Sequence, residues 1–308
     1  MIILLRLLII IILISPLAKA EDKLLHVSFD ITRELFKEIN IAFIDQYNLK
    51  LKIRQSHGGS GKQTSAIIHG LPADIASLAL PYHMDLLAEK GLVAPNWRTL
   101  FPNNSSPFNT HIVFLVHKNN PKDIKDWSDL IRKDIKVITA NPKTSGGALW
   151  NYVAAWIYAS NKFPNDPENY MHKLYHNTPV LDSTARNSAI TFLKRHIGDV
   201  LITWASEAEY IIAKLDANYE IIEPSLSVKI DIPIAATLNK KNQALANEYI
   251  NFLFSPEAQT IISKHYYQPF NLTKITRNNI VNADDYINWH KFKKEHFSEN
   301  GLFEQIYK

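Results

Sequence analysis

The residues with the clearest chemical potential in this chain are serines and glycines, not acid–base pairs or thiols. Gln55-Ser56-His57-Gly58-Gly59-Ser60-Gly61-Lys62-Gln63 is a polar, Gly-rich turn that runs straight into Thr64-Ser65-Ala66-Ile67-Ile68, a stretch of helical composition. A second turn, Asn141-Pro142-Lys143-Thr144-Ser145-Gly146-Gly147, opens a helix predicted from Ala148 to Ser160. The chain has only nine glycines, and those at 58, 59, 61, 146 and 147 fall in these two turns. Glycine is concentrated where the backbone must be approached closely. The chemistry of such turns is anion binding, because the first N–H groups of a helix lack intrahelical partners and the helix dipole adds positive potential there. Ser60 is expected to be the N-cap of its helix, and Ser60 and Ser145 add hydroxyl donors. A third helix start follows Asp182-Ser183-Thr184-Ala185-Arg186, with Ser183 or Thr184 available as its cap. Trp204, ending a predicted strand, offers an indole N–H that only donates. Asp30, ending the first strand, reads equally as a cap for Thr32 and Arg33 or as a member of the site.

All of these ligand-facing groups are donors, which suits a fully ionised tetrahedral oxyanion. Phosphate at neutral pH carries a proton and gains from an acceptor, whereas sulfate has no proton to give. Other chemistries fit less well. A nucleotide P-loop needs Gly where Ser56 stands and Ser or Thr where Gln63 stands. His172 and His176 have helical i, i+4 spacing but no clear third metal ligand. No Gly-x-Ser-x-Gly nucleophile turn is present. The expectation is a binding protein, not an enzyme, with no cofactor and no metal.

Around these loops the chain alternates strand, loop and helix. Leu24–Phe29 is β-like, Thr32–Tyr47 is an amphipathic helix with Leu35, Phe36, Ile39, Phe43 and Ile44 on one face, Leu49–Ile53 is a second strand and Asp74–Leu80 a third. That repetition predicts a parallel sheet, whose ligands lie beyond the carboxyl ends of the strands, where Asp30 and Ser60 fall. After the Pro-punctuated residues 81 to 110, the strand His111–His117 is a candidate crossover into a second lobe. Strands at Lys136–Ala140 and Asp199–Trp204 follow, and Val228–Leu238, interrupted by Pro233, is the candidate return. The helices predicted from Asn242, Pro256 and Trp289 onward would complete the first lobe.

Arg6, the apolar run Leu7–Leu13 and Ala18-Lys19-Ala20 make residues 1–20 a cleavable secretory signal peptide, because the run is shorter than the ~20 residues of a spanning helix. Its removal leaves 32 basic against 30 acidic residues, with no footprint for nucleic acid. Cysteine is absent, so the exported chain has neither a disulfide framework nor a lipid-anchor thiol. A bacterial periplasm is the expected location, and a monomer the expected state.

Four blocks carry a resemblance. Ser-Phe-Asp-Ile-Thr-Arg-Glu (28 to 34), Gln-Ser-His-Gly-Gly-Ser-Gly-Lys-Gln (55 to 63), Asn-Pro-Lys-Thr-Ser-Gly-Gly-Ala-Leu-Trp-Asn-Tyr (141 to 152) and Gly-Asp-Val-Leu-Ile-Thr-Trp (198 to 204) resemble the signature blocks of periplasmic sulfate-binding proteins, in order and spacing. The resemblance implies an α/β, two-lobed type II periplasmic binding protein fold, with the ligand cleft between lobes joined by crossover strands. Lobe 1 would comprise 21–108 and 229–308, and lobe 2 would comprise 109–228. It further implies capture of sulfate, and thiosulfate with it, for delivery to the membrane permease of an ABC importer. Molybdate or phosphate is the alternative ligand, and a secreted hydrolase of phosphate or sulfate esters the alternative class. Matched by motif, the ligand groups would be Ser60, Ser145, Gly146, Gly147, the backbone N–H of Ala185 and the indole of Trp204. Asp30 would brace the loops, since a carboxylate touching sulfate would repel it. The chain departs from the family's usual pattern at Ile31, Thr184 and Asn187, at Ala205-Ser206 and at Pro81-Tyr82-His83.

Overall fold

The first strand, β1 (Asp22–Phe29), pairs in parallel with β2 (Leu51–Gly58) from Asp22↔Leu51 to Phe29↔Gly58. Parallel neighbours need a crossover, and α1 (Arg33–Gln46) supplies it by burying Leu35, Phe36, Ile39 and Phe43 along one stripe. After α2 (Ser60–Ile68), β3 (Ile75–Ser77) adds to the other side of β1, again in parallel. Asp30 and Ser60 therefore stand just beyond the carboxyl ends of β1 and β2, as the parallel sheet requires. The described residues of this computed structural model are 22–239, 241–271 and 279–307, so the signal peptide expected at 1–20 lies outside them. Among the described residues no helix is long and apolar enough to cross a membrane.

Beyond α3 (Pro81–Glu89) and the single turn α4 (Pro102–Ser105), the long β4 (Phe108–His117) enters a second sheet. There it is antiparallel to β7 (Val200–Trp204), β8 (Tyr219–Ile222) and β9 (Ser227–Asp231), while β5 (Val137–Ala140) runs parallel to β7 and to β6 (Leu181–Asp182). The helices α5 (Gly146–Lys162), α6 (Pro167–His176), α7 (Ala185–Arg195) and α8 (Ala205–Tyr210) accompany this sheet. Immediately after β9 the chain passes Pro233 into β10 (Ile234–Ala236), which completes the first sheet beside β3. The two connections between sheets, β4 and β9, thus lie side by side as an antiparallel pair from Asn109↔Asp231 to His111↔Lys229.

The next helices, α9 (Gln243–Leu253) and α10 (Pro256–Lys264), return to the first lobe, where Tyr249 Oη donates to Asn40 Oδ1 at 2.7 Å and Lys264 pairs with Glu38. The short β11 (Gln268–Pro269) and β12 (Ile280–Val281) then extend the second sheet beside β4 and β9.

The tail differs from expectation. The final helices, α11 (Trp289–Phe297) and α12 (Leu302–Tyr307), pack on the second lobe. Trp289 meets Trp150 edge-on at 5.1 Å, Tyr152 Oη lies 2.9 Å from His296 Nδ1, and Phe303 packs edge-on against Tyr152 and Tyr175. On the opposite side His290 reaches Tyr82 of α3, ring to ring at 5.3 Å. The aromatic face of α11 matches the aromatic face of α5. Helical periodicity reveals such a face but not its dock.

Candidate anion-binding site

Three helix starts meet where the lobes touch. A Cβ placed on Gly146 would stand 2.8 Å from Ser60 Cβ, Ala79 Cβ and Leu80 Cδ1, and one on Gly59 would overlap the Thr144 carbonyl oxygen. Glycine at both positions is what lets α2 and α5 approach head to head across the cleft. A Cβ on Gly147 would lie 3.4 Å from Ala185 Cβ and 3.8 Å from Trp204, bringing in the start of α7 and the end of β7. Ser60, Ser145, Gly146, Gly147, Ala185, Trp204 and Asp30 therefore form one cluster, although they are spread over 175 positions of sequence.

Each helix start is organised differently. Ser145 is the N-cap of α5, accepting from the Ala148 N–H at 3.3 Å, so the Gly146 and Gly147 N–H groups remain free at the first turn. Thr184 caps α7 by accepting from the Asn187 N–H at 3.2 Å, which leaves the Ala185 N–H unengaged by its own helix. Thr144 Oγ1 donates to the Ser183 carbonyl at 2.9 Å and so ties the α5 loop to the α7 loop.

The α2 start departs from expectation. Gly59 holds the cap position, with no side-chain cap bond, and Ser60 is the first helical residue. Its side-chain oxygen is engaged within its own lobe: the Ala79 N–H donates to Ser60 Oγ at 3.0 Å, and His83 Nδ1 lies 2.9 Å away. What Ser60 presents freely is its backbone N–H, one of the first-turn donors of α2. The physical reason is position: one residue inside the helix, the side chain points sideways to neighbouring segments instead of along the helix axis.

Asp30 opens a short 3₁₀ turn and does not cap α1, since no side-chain cap bond is made by that turn or by the helix after it. Asp30 Oδ2 instead accepts the Arg186 N–H of α7 at 3.2 Å, and the Arg186 guanidinium donates to Glu34 at 2.7 Å. Both bonds cross between lobes. They leave the Arg186 guanidinium paired with a carboxylate of the opposite lobe. Lys62 is exposed on α2, as a surface lysine.

Trp204 is 2% exposed, packs against Phe29 at 5.5 Å, and its indole N–H has no acceptor among the described residues. A buried donor left so costs about 1–3 kcal/mol unless an acceptor reaches it. The recess beside it is lined by Gly147, Ala185, Ser188, Asn151 and Thr203, with no cationic side chain. Asn151 Oδ1 is buried there without a partner among the described residues, while its amide nitrogen donates to Thr139 and Ile202, and the Ser188 and Thr203 hydroxyls can donate or accept. Among the described residues no group of three or more metal-ligating side chains occurs.

Several participants escape a reading of motifs. Ala79 acts through its main-chain atoms: its N–H serves Ser60 and its carbonyl accepts the Trp150 indole N–H from across the cleft at 2.6 Å. His83, which stands just beyond β3, is buried, and that burial, with Lys293 nearby, pushes its imidazole down to about 3 and keeps it neutral. Its location past a strand end was the available signal. Glu207 of α8 faces Arg186, Asp30 and Glu34; burial, opposed by Arg186 and reinforced by the two carboxylates, pushes it up to about 7.

The family described as bacterial extracellular solute-binding protein matches residues 29–268. The sulfate-binding protein of Escherichia coli strain K12 is 42% identical over 96% of this chain and 95% of its own length. The thiosulfate-binding protein of Pseudomonas aeruginosa is 37% identical over 94% of this chain and 93% of its own. In fold, the sulfate-binding protein SubI of Mycobacterium tuberculosis superposes with a TM-score of 0.81 at 23% identity, covering 90% of this chain and all of that one. With two sheets bridged by paired connections, a ring of helix starts between them and relatives matched almost end to end, the chain belongs to the bacterial extracellular solute-binding proteins and has the type II fold.

Proposed function

We propose that this protein captures sulfate, and thiosulfate with it, between its two lobes in the periplasm and delivers it to the permease of an ABC importer. The observation that carries this reading is the buried Trp204 indole N–H, without an acceptor among the described residues, set where the starts of α2, α5 and α7 converge. The ligand groups are the backbone N–H groups of Ser60, Gly146, Gly147 and Ala185, the Ser145 hydroxyl and the Trp204 indole. Ser145 Oγ accepts from its own helix and keeps a hydroxyl proton that can be donated to the anion. An anion held in this way is stabilised by hydrogen bonds and helix dipoles, not by a salt bridge. Asp30 does not touch the anion; it braces the start of α7 from the opposite lobe.

The mechanism is hinge closure about the β4–β9 pair, in which neither half of the donor set binds well alone. The names of the relatives at 42% and 37% identity support the ligand class. The donor majority favours a fully ionised tetrahedral anion over hydrogen phosphate, whose proton would need an acceptor such as Asn151 Oδ1. The test is titration calorimetry of the mature chain against sulfate, thiosulfate, molybdate and phosphate. Tight binding of the first two, with phosphate much weaker, is the expected result; preference for molybdate or phosphate would reassign the ligand. Turnover of a sulfate ester by the purified protein would reassign the class.

A further inference from the structure

We propose that α11 is a closure latch: carried by the second lobe, it seats on α3 of the first lobe through His290 when the cleft shuts, and so slows the release of an anion it never touches. The inference rests on the hinge closure proposed above and adds a device to it.

Two faces of α11 do different things. Trp289, Phe292 and His296 are buried along one stripe, at the i, i+3, i+7 spacing of a single helix face. That stripe belongs to the second lobe. Trp289 stands edge-on to Trp150 and Phe292 to Tyr152, while the His296 ring lies 4.4 Å from that of Trp156. The chain also reaches α11 from β12 of the second sheet, through a short turn in which Asp284 Oδ1 accepts the Trp289 indole N–H at 2.8 Å.

His290 and Lys293 lie on one flank of the stripe, and this flank faces the first lobe. The His290 ring meets the Tyr82 ring of α3 edge-on at 5.3 Å, and His290 Nε2 stands 3.7 Å from Glu89 at the end of that helix. One turn further on, the Lys293 ammonium acts on His83 of α3; burial, with Lys143 nearby, pushes Lys293 down to about 8. The His290 and Glu89 side chains are 61% and 53% exposed, so their ion pair contributes little and the ring contact carries the latch.

Beside that contact the Trp150 indole N–H crosses to the Ala79 carbonyl at 2.6 Å. Consecutive residues of α11 thus divide the work. Trp289 holds the Trp150 ring within the second lobe, and His290 crosses to the first, so that Trp150 and His290 both land on residues 79–82. Opening about the β4–β9 pair would carry α11 away together with α5, breaking both crossings and leaving the buried stripe intact. Contacts made only in the closed form act on the rate of release, not on the rate of encounter.

Stopped-flow kinetics and calorimetry with sulfate on the full mature chain test this. His290→Ala and Tyr82→Ala should each speed release about two- to fivefold, with the association rate and the melting temperature of the unliganded protein unchanged. Their double variant should release no faster than either alone. Trp150→Phe, which keeps an aromatic ring and loses the crossing N–H, should speed release about three- to tenfold. Release at the wild-type rate from His290→Ala, or additive effects of His290→Ala and Tyr82→Ala, overturns the latch and leaves the functional reading standing. A wild type that binds no sulfate sinks the functional reading, and the latch with it.

Discussion

At the start of α5, Ser145 occupies the cap position and its oxygen accepts from Ala148 of its own helix. At the start of α2 the cap position belongs to Gly59, and Ser60, one residue further in, turns its oxygen to Ala79 and His83 of a neighbouring segment. The two loops share a Ser-Gly composition and face each other across the cleft. A one-residue offset nevertheless changes what each serine oxygen serves: the first turn of its own helix in the second lobe, and a neighbouring segment of the same lobe in the first. Composition announces an anion site, but the position of the serine relative to the cap decides its role.

The difference can be broken most forcefully where the loops touch. Gly146→Ala drives a methyl into Ser60 Cβ, Ala79 Cβ and Leu80 at 2.8 Å. Because overpacking of this kind costs about 1–3 kcal/mol and here opposes closure, sulfate affinity should drop by up to ~100-fold with little change in melting temperature, read by calorimetry and circular dichroism. Trp204→Phe removes a donor to a charged acceptor, worth about 1.5–3 kcal/mol, and should weaken binding roughly 10- to 100-fold. Ser145→Ala, compared with Ser60→Ala, tests the offset directly. The first loses a ligand donor and a cap and should cost about tenfold or more, the second clearly less; equal costs would erase the distinction between the jaws.

The smallest expected effect concerns pH. Sulfate does not titrate between pH 5 and 8, so any dependence there belongs to the protein. Glu207 has its carboxyl raised to about 7 in the closed arrangement, first by burial. Its protonated form is the one favoured there, so its contribution is complete below the ordinary carboxylate range and is lost as pH rises through about 7. Wild-type affinity should decline a few-fold from pH 6 to 8. Glu207→Gln should be flat, measured in matched buffers.

Much of this architecture could be read from the chain. Strand–loop–helix repetition placed Asp30 and Ser60 beyond strand ends, and scarce glycine pointed to the two loops. The cluster of Ser145, Gly146, Gly147, Ala185 and Trp204 followed from motif resemblance. Illegible features share one character: they depend on which surfaces meet. Ser60 read as a cap because Ser is a better cap than Gly, yet tertiary bonds to Ala79 and His83 claimed its side chain. The tail read as part of the first lobe because its periodicity says nothing about the aromatic face of α5. Ala79 acts through backbone atoms and carries no side-chain signature at all.

Trp150 to Ala79 and Arg186 to Glu34 are bonds between the lobes that contain no ligand atom. In a hinge-closing protein such bonds set the fraction of unliganded molecules that are already shut, and the apparent dissociation constant is the intrinsic one divided by that fraction. Affinity is therefore adjustable from the rim of the cleft, by residues that never contact the anion. A chain with these donors can be retuned from scavenging trace sulfate to tracking abundant sulfate without altering what it recognises.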